Sequence, residues 1–172
     1  MSSSLIVGMS CTSIENTVTL SNHAINKGCA NTLVLPPFFF RPADDDGIVD
    51  FYEQFVRRLR TNAQNIVLYH FPETACVELS VDAIQRLVTT FLNEFAGLKD
   101  NSGDLISTLT FINACPDLAI TLATTTCFGR YWNMAGIHPS RLQQICSPTF
   151  SGILKKGGHH LRSAQGQCWK RS

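Results

Sequence analysis

The sequence predicts an α/β fold built on parallel strands, and three observations carry that expectation. Short apolar runs alternate with segments of helical periodicity, and the pair recurs about every thirty residues, the length of a βα unit. The strand candidates are unbroken apolar runs rather than alternating ones, as expected of parallel strands covered on both faces. No Gly-rich phosphate loop follows any of them, which disfavours a nucleotide-binding sheet. Right-handed crossovers then leave an open doubly wound sheet or a (β/α)8 barrel.

Residues 5–9 (LIVGM) read as a short buried strand. Residues 13–27 read as a helix: Ser13 can cap it, Ile14, Val18 and Ile25 fall near one face, and Gly28 stops it. Residues 32–35 (TLVL) read as a second strand, ended by Pro36-Pro37. A loop containing Pro42 and three aspartates leads to a helix over 47–60. Its stripe is Ile48, Phe51, Tyr52, Phe55 and Leu59, with Arg57, Arg58 and Arg60 near its C-terminal end. Residues 65–69 (NIVLY) are a third strand, closed by Pro72. Ser80 caps a helix over 80–92, with Val81, Ile84, Val88 and Phe91 on one face. Residues 95–99 form a fourth strand, residues 104–114 a helix with Leu105, Leu109 and Ile112, and a fifth strand begins at 118–120.

The chain has 172 residues, enough for one domain with its own core. No apolar run is long enough to span a bilayer, and no membrane partner is expected. The start, MSSSLIVGMSC, lacks a basic segment and a sufficient apolar run for a signal peptide, so the expected location is cytoplasmic. Seven cysteines (11, 29, 76, 115, 127, 146 and 168) without a CxxC pair read as free thiols in a reducing compartment. The net charge of +1 hides an asymmetry: all 13 acidic residues precede residue 121, while 121–172 carry seven Lys and Arg.

In either parallel architecture, reactive side chains sit at the C-terminal ends of strands. Tyr69 ends one strand and Lys99 the next. Adjacent parallel strands lie about 4.8 Å apart, so both side chains reach one pocket. Asn101, two positions on, faces the same side if the extended backbone continues. A lysine where a buried strand ends has two readings. It can snorkel to water, the ordinary fate of such a lysine taken alone. Or burial favours its neutral form, which is a nucleophile toward carbonyl carbon. Tyr69 alone reads as a strand-end tyrosine with its hydroxyl in water; beside an amine it can pass protons. His70 points away from Tyr69's face by alternation and reads as structural. Phe38, Phe39 and Phe40 read as packing or as a pocket wall or subunit contact. Cys76 lies near the site with nothing to support a nucleophilic role.

These stretches, "LVLPPFFF", "LYHFP" and "GLKDNSGD" with "LIVGMS" upstream, resemble the dihydrodipicolinate synthase/N-acetylneuraminate lyase family of pyruvate-dependent class I aldolases. The resemblance covers about residues 4–120 and is specific in combination. It implies a (β/α)8 TIM barrel, here partial and covering about strands three to seven. It implies Lys99 as the Schiff-base lysine and Tyr69 as the proton-shuttling tyrosine. Pyruvate and an aldehyde would be the reactants, with no cofactor and no metal, and the intact family forms homo-oligomers. A barrel lacking strands at both ends is expected to be marginal, with little turnover.

Three departures narrow the reading. The family's Gly-Thr/Ser-Thr-Gly-Glu segment, which holds the pyruvate carboxylate, is absent. Phe38-Phe39-Phe40 stand where the synthase branch has a tyrosine pair, so no hydroxyl is offered. Thr74 stands where that branch has a carboxylate-binding arginine, leaving Thr74 and Asn101 as the candidate substrate contacts. The last two argue against 4-hydroxy-tetrahydrodipicolinate synthesis (lysine biosynthesis) and favour a lyase acting on a 2-keto-3-deoxy sugar-acid-like substrate. The reading from another class is a non-enzymatic α/β fragment or interaction module.

The resemblance ends at Ile120, where the acids end. The family continues with "SGDD" and "ATANL" or "ATANV" segments. Joining each codon's third base to the next codon's first two permits "YSGDDDL" across Ile120–Cys127 and "LEHGG" across residues 131–136. It permits "ATANL" across Arg141–Cys146. The division expected is therefore a barrel domain over 1–120 and a poorly ordered, out-of-frame tail over 121–172. That removes weight from "KKGGHH" (155–160) as a nucleic-acid patch, with no stacking aromatic nearby except Trp169. No nucleic-acid partner is expected. His159, His160, Cys146 and Cys168 likewise lack a recognised zinc spacing.

Overall fold

Each apolar run pairs in parallel with the next one along the chain, and helices form the returns. The computed structural model describes residues 3–39, 42–59, 63–91 and 93–122. The tail beyond Leu122 and its candidate patches and cysteine–histidine site, with Phe40, lie outside the described residues, while Thr121 and Leu122 belong to the last strand. The strands are β1 (Ser3–Gly8), β2 (Cys29–Val34), β3 (Ile66–His70), β4 (Phe95–Asp100) and β5 (Ala119–Leu122). They form one five-stranded sheet in the order β1-β2-β3-β4-β5, every pair parallel. The helices are α1 (Ile14–Asn26), α2 (Asp45–Leu59), α3 (Pro72–Ala75), α4 (Val81–Thr90) and α5 (Leu105–Ala114).

That order decides between the two architectures. A doubly wound sheet reverses its strand order so that helices cover both faces. Here every crossover advances one strand in the same direction, and crossovers of one hand put all the long helices on one face. They pack as a layer, α1 on α2, α2 on α4 and α4 on α5. This is the arrangement of consecutive βα units in a (β/α)8 barrel, with the other sheet face toward the barrel interior.

The helix-facing row runs Val34, Leu68, Leu98 and Ile120, register partners from strand to strand. All four are at most 2% exposed. Against them α2 lays Ile48, Tyr52 and Phe55, and α4 lays Ile84 and Leu87. Tyr52 is fully buried, so its hydroxyl must be paired; it donates to the Val34 carbonyl at 2.9 Å. Helix α1 differs from its expected face. Its most buried positions are Thr17, Ser21 and Ala24, with Ile14, Val18 and Ile25 flanking them. Their i, i+4, i+7 spacing is helical, and small side chains let the helix lie close to the sheet.

The caps at Ser13 and Ser80 follow the sequence, and Asp104 adds a third. Ser13, Ser80 and Asp104 each accept a main-chain N–H of the first turn of α1, α4 and α5. Gly28 leaves α1 at φ +85°, a left-handed conformation open to glycine. Two expectations are corrected. Strand β2 starts at Cys29 rather than 32, because its first residues pair with β1 through Ser3↔Cys29 and Ile6↔Asn31. Pro72 does not simply close β3: it opens α3, where its missing N–H costs nothing in a first turn.

One irregularity sets the faces of β4. Ile66 pairs with Phe95, but Val67 pairs with Gly97, so Ala96 is an extra residue in β4. Such a bulge reverses the alternation. Phe95 therefore points to the helix side, edge-to-face with Tyr52 (6.2 Å) and Phe91 (6.4 Å). Lys99, four residues later, points to the other side. The bulge also brings β4 against β5: a Cβ at Gly97 would lie 2.4 Å from the Ala119 carbonyl oxygen. Gly97→Ala should force β5 away and cost about 1–3 kcal/mol. Urea denaturation checks this; an unchanged midpoint would show that β5 gives way freely.

The last residues of β3 and β4, His70 and Asp100, are buried polar groups on the helix side. His70 is 4% exposed, and its Nδ1 accepts the Leu79 N–H at 3.2 Å, which leaves the ring proton on Nε2. Burial lowers the pKa of His70 below the ordinary 6.5, against the opposing pull of Asp100 and Glu78. The unfolded chain thus binds the proton more readily. The stability from a neutral His70 is fully present above about pH 6.5 and is lost as the pH falls through that value toward the folded one. Stability should decline on acidification, and less steeply in His70→Asn, which keeps an acceptor for Leu79. Denaturation midpoints across the acid range test this; equal slopes in both proteins would refute it.

Candidate active site

The β3–β4 register puts Tyr69 directly opposite Lys99. Their neighbours Leu68, His70, Leu98 and Asp100 are buried toward the helices, so alternation turns Tyr69 and Lys99 to the opposite face. The Lys99 amine donates to the Tyr69 hydroxyl at 3.3 Å. It also lies 4.4 Å from the centroid of that ring, a cation–π distance. Phe71 stacks on the other partner of this contact: its ring lies 5.5 Å from Tyr69 at 28°. Both Tyr69 and Lys99 are half-buried. The pair thus sits at the C-terminal rim, between water and the sheet, where an amine can meet a small substrate and a phenol can exchange its proton.

Asn101 follows by the ladder itself. Its N–H donates to the His70 carbonyl at 2.8 Å, which continues the β3–β4 pairing one residue past Asp100. Alternation then returns Asn101 to the face of Lys99. Its side-chain Oδ1 is buried and has no hydrogen-bond partner among the described residues. An acceptor in that state costs free energy until a donor reaches it.

Thr74 is placed differently. It lies exposed on α3, its N–H bonded to the Phe71 carbonyl at 3.2 Å, and no described contact joins it to Tyr69, Lys99 or Asn101. Phe38 is half-buried and Phe39 is exposed. Cys76 is exposed at φ +51°, at the end of α3. Cys11, Cys29, Cys76 and Cys115 are free thiols, and burial raises the pKa of Cys115. Among the described residues, no three His, Cys, Asp or Glu side chains are grouped to hold a metal ion. Among them, too, no helix is long and apolar enough to cross a membrane.

The bulge at Ala96 is the feature that reading the strand alone misses. A regular strand would put Phe95, Gly97 and Lys99 on one face, and either the core or the amine would be misplaced. Its only linear signal is Gly97 within an apolar run, the ordinary mark of a bulge or close backbone approach.

Known proteins resemble this chain in sequence and fold. The chain is 33% identical over 117 residues to an uncharacterized DapA-like lyase of Chloroflexus aurantiacus, covering 68% of this chain and 39% of that protein. It is 28% identical over 101 residues to a 4-hydroxy-tetrahydrodipicolinate synthase of Bartonella bacilliformis, covering 59% and 33%. The crystal structure of dihydrodipicolinate synthase from Agrobacterium tumefaciens superposes with a TM-score of 0.70 at 30% identity, over 76% of this chain and 46% of that one. A 2-keto 3-deoxygluconate aldolase from Picrophilus torridus shares the fold, with a TM-score of 0.61 at 18% identity over 68% and 41%. The chain spans about two fifths of the length of the first of these relatives. A family model described as the dihydrodipicolinate synthetase family matches residues 2–152, and on that match the chain belongs to the dihydrodipicolinate synthetase family.

Proposed function

We propose that the chain carries the imine-forming site of a pyruvate-dependent lyase. The observation that supports this most is the Lys99 amine 3.3 Å from the Tyr69 hydroxyl at the C-terminal rim of a parallel sheet. In this reading Lys99 attacks the keto carbon of pyruvate, or of a 2-keto acid made from it. The carbinolamine loses water and leaves a protonated imine. In a 2-keto-3-deoxy acid the C3–C4 bond then breaks: C4 leaves as the aldehyde, and the bond's electrons pass through C3 to the imine nitrogen as an enamine. The enamine is protonated at C3 and hydrolysed to free pyruvate and Lys99. Tyr69 relays the proton released from the hydroxyl as the leaving aldehyde forms. No cofactor takes part. Pyruvate and an aldehyde are the reactants, and the intact enzyme is a homo-oligomer of the cytoplasm.

A 2-keto-3-deoxy sugar acid is the proposed substrate class. Asn101 supplies a buried acceptor on the amine's face, suited to a substrate hydroxyl. Thr74, five residues past Tyr69, offers a hydroxyl rather than the charge that a second carboxylate needs. Residues 121–172 are proposed to be an out-of-frame tail. The competing reading, an in-frame tail, draws on the family match running past Ile120 to residue 152.

Borohydride treatment of the full chain with pyruvate should add reduced pyruvate to the peptide containing Lys99, read by mass. Lys99→Ala should abolish the addition, and Tyr69→Phe should slow it by about 100-fold. A wild-type chain that gains nothing on Lys99 would favour the non-enzymatic module. Acceptance of an aldehyde bearing a carboxylate in preference to a polyhydroxy aldehyde would favour the synthase. The tail has its own test, the nucleotide sequence around codon 120. Codons that spell "SGDD" and "ATANL" in the alternative frame are expected; codons that cannot spell them establish the tail as in frame.

A further inference from the structure

Directly behind Tyr69 and Lys99, on the helix side, lies a second pair in the same register, His70 opposite Asp100. Asp100 is fully buried. One of its oxygens accepts the Ser102 N–H at 2.8 Å, and the other accepts the hydroxyl of Thr108, itself fully buried on α5. His70 accepts the Leu79 N–H from the segment before α4, and its ring meets Phe111 of α5 edge-to-face at 5.2 Å. Two strand ends are thus tied from behind to α5 and to the segment that precedes α4.

Stability alone does not account for this cluster. A buried carboxylate with two donors loses more on leaving water than a well-packed apolar side chain would. The neighbouring rows show what packing prefers there, Leu68 beside Leu98. What the polar pair adds is direction. Hydrogen bonds of fixed length hold the last residue of each strand, and each lies one residue from a reactive side chain. The amine–phenol separation depends on how those two strand ends are held, and misplacements of about 1 Å have large effects on rate.

We propose that His70, Asp100 and Thr108 form a positioning clamp that fixes the Lys99 amine against the Tyr69 hydroxyl. None of the three touches the reacting atoms. Asp100 and His70 hold the ends of β4 and β3, and Thr108 carries the tie to α5. The role of the clamp in imine formation rests on the proposed function of Lys99; its effect on the placing of Lys99 does not.

The test compares His70→Asn, His70→Leu and Thr108→Val with wild type in the full chain, each first shown to be folded by circular dichroism. Two readouts are taken: the rate of borohydride-trapped pyruvate on Lys99 over a range of pyruvate concentrations, and competitive acetylation of Lys99 relative to exposed Lys27. His70→Asn keeps the acceptor for Leu79 and should trap within about threefold of wild type. His70→Leu and Thr108→Val should trap about tenfold more slowly at saturating pyruvate, with the half-saturating concentration little changed. The relative acetylation of Lys99 should shift by about fivefold in the same two variants and not in His70→Asn. Folded variants that trap and acetylate like wild type overturn the clamp. A wild type that traps no pyruvate overturns the imine-forming reading alone, and the acetylation series still decides the clamp.

Discussion

The parallel pairing of β3 with β4 is the constraint on which the rest depends. It places Tyr69 against Lys99 and His70 against Asp100, so one register defines the amine–phenol pair on one face and the buried polar pair on the other. A slip of a single residue would turn the amine into the helix layer and a buried carboxylate toward the rim. The register is held because its own consequences are mutually supportive. Leu68 and Leu98 vanish into the core only in this alignment. The His70 carbonyl takes the Asn101 N–H only if the ladder runs on.

The bulge at Ala96 lets two demands coexist in one six-residue strand. The start of β4 must supply an aromatic to the core, where Phe95 meets Tyr52 and Phe91. Its end must present an amine to the opposite side. Strict alternation satisfies one of these at that spacing. The extra residue satisfies both, and the close approach to Ala119 that comes with it leaves room for no side chain at Gly97. Thus a residue with no reactive side chain of its own sets the direction of the Lys99 amine.

Charge is kept away from the sheet except where it is held. On the outer helical surface Arg86 bonds Asp46 at 2.8 Å and the Ser80 hydroxyl bonds Asp45 at 2.6 Å, joining α4 to the start of α2. The exposed Arg86–Asp46 pair adds little to stability. Asp100 and His70 are different, because burial makes every unpaired lone pair count. The same logic applies at Asn101, whose buried oxygen has no hydrogen-bond partner among the described residues.

Much of this was legible in the linear chain. Unbroken apolar runs mark parallel strands, and Ser13 and Ser80 announce helix starts because short side-chain acceptors satisfy first-turn N–H groups. The motifs around Tyr69 and Lys99 named the candidate pair. Local rules could not show that Pro72 opens a turn of helix, since a proline ends a strand and begins a helix equally well. Nor could they show that Thr17 and Ser21 are the buried face of α1, because burial of a small polar residue depends on what packs against it. Sequence alone determined the βα repeat, the caps at Ser13 and Ser80 and which side chains are the candidates for chemistry, all properties of near neighbours along the chain. Only the tertiary structure decided that the strands run in consecutive order, that one extra residue turns Lys99 away from the core, and that Asp100 closes on Thr108. Those depend on contacts between strands and helices, which no local pattern encodes.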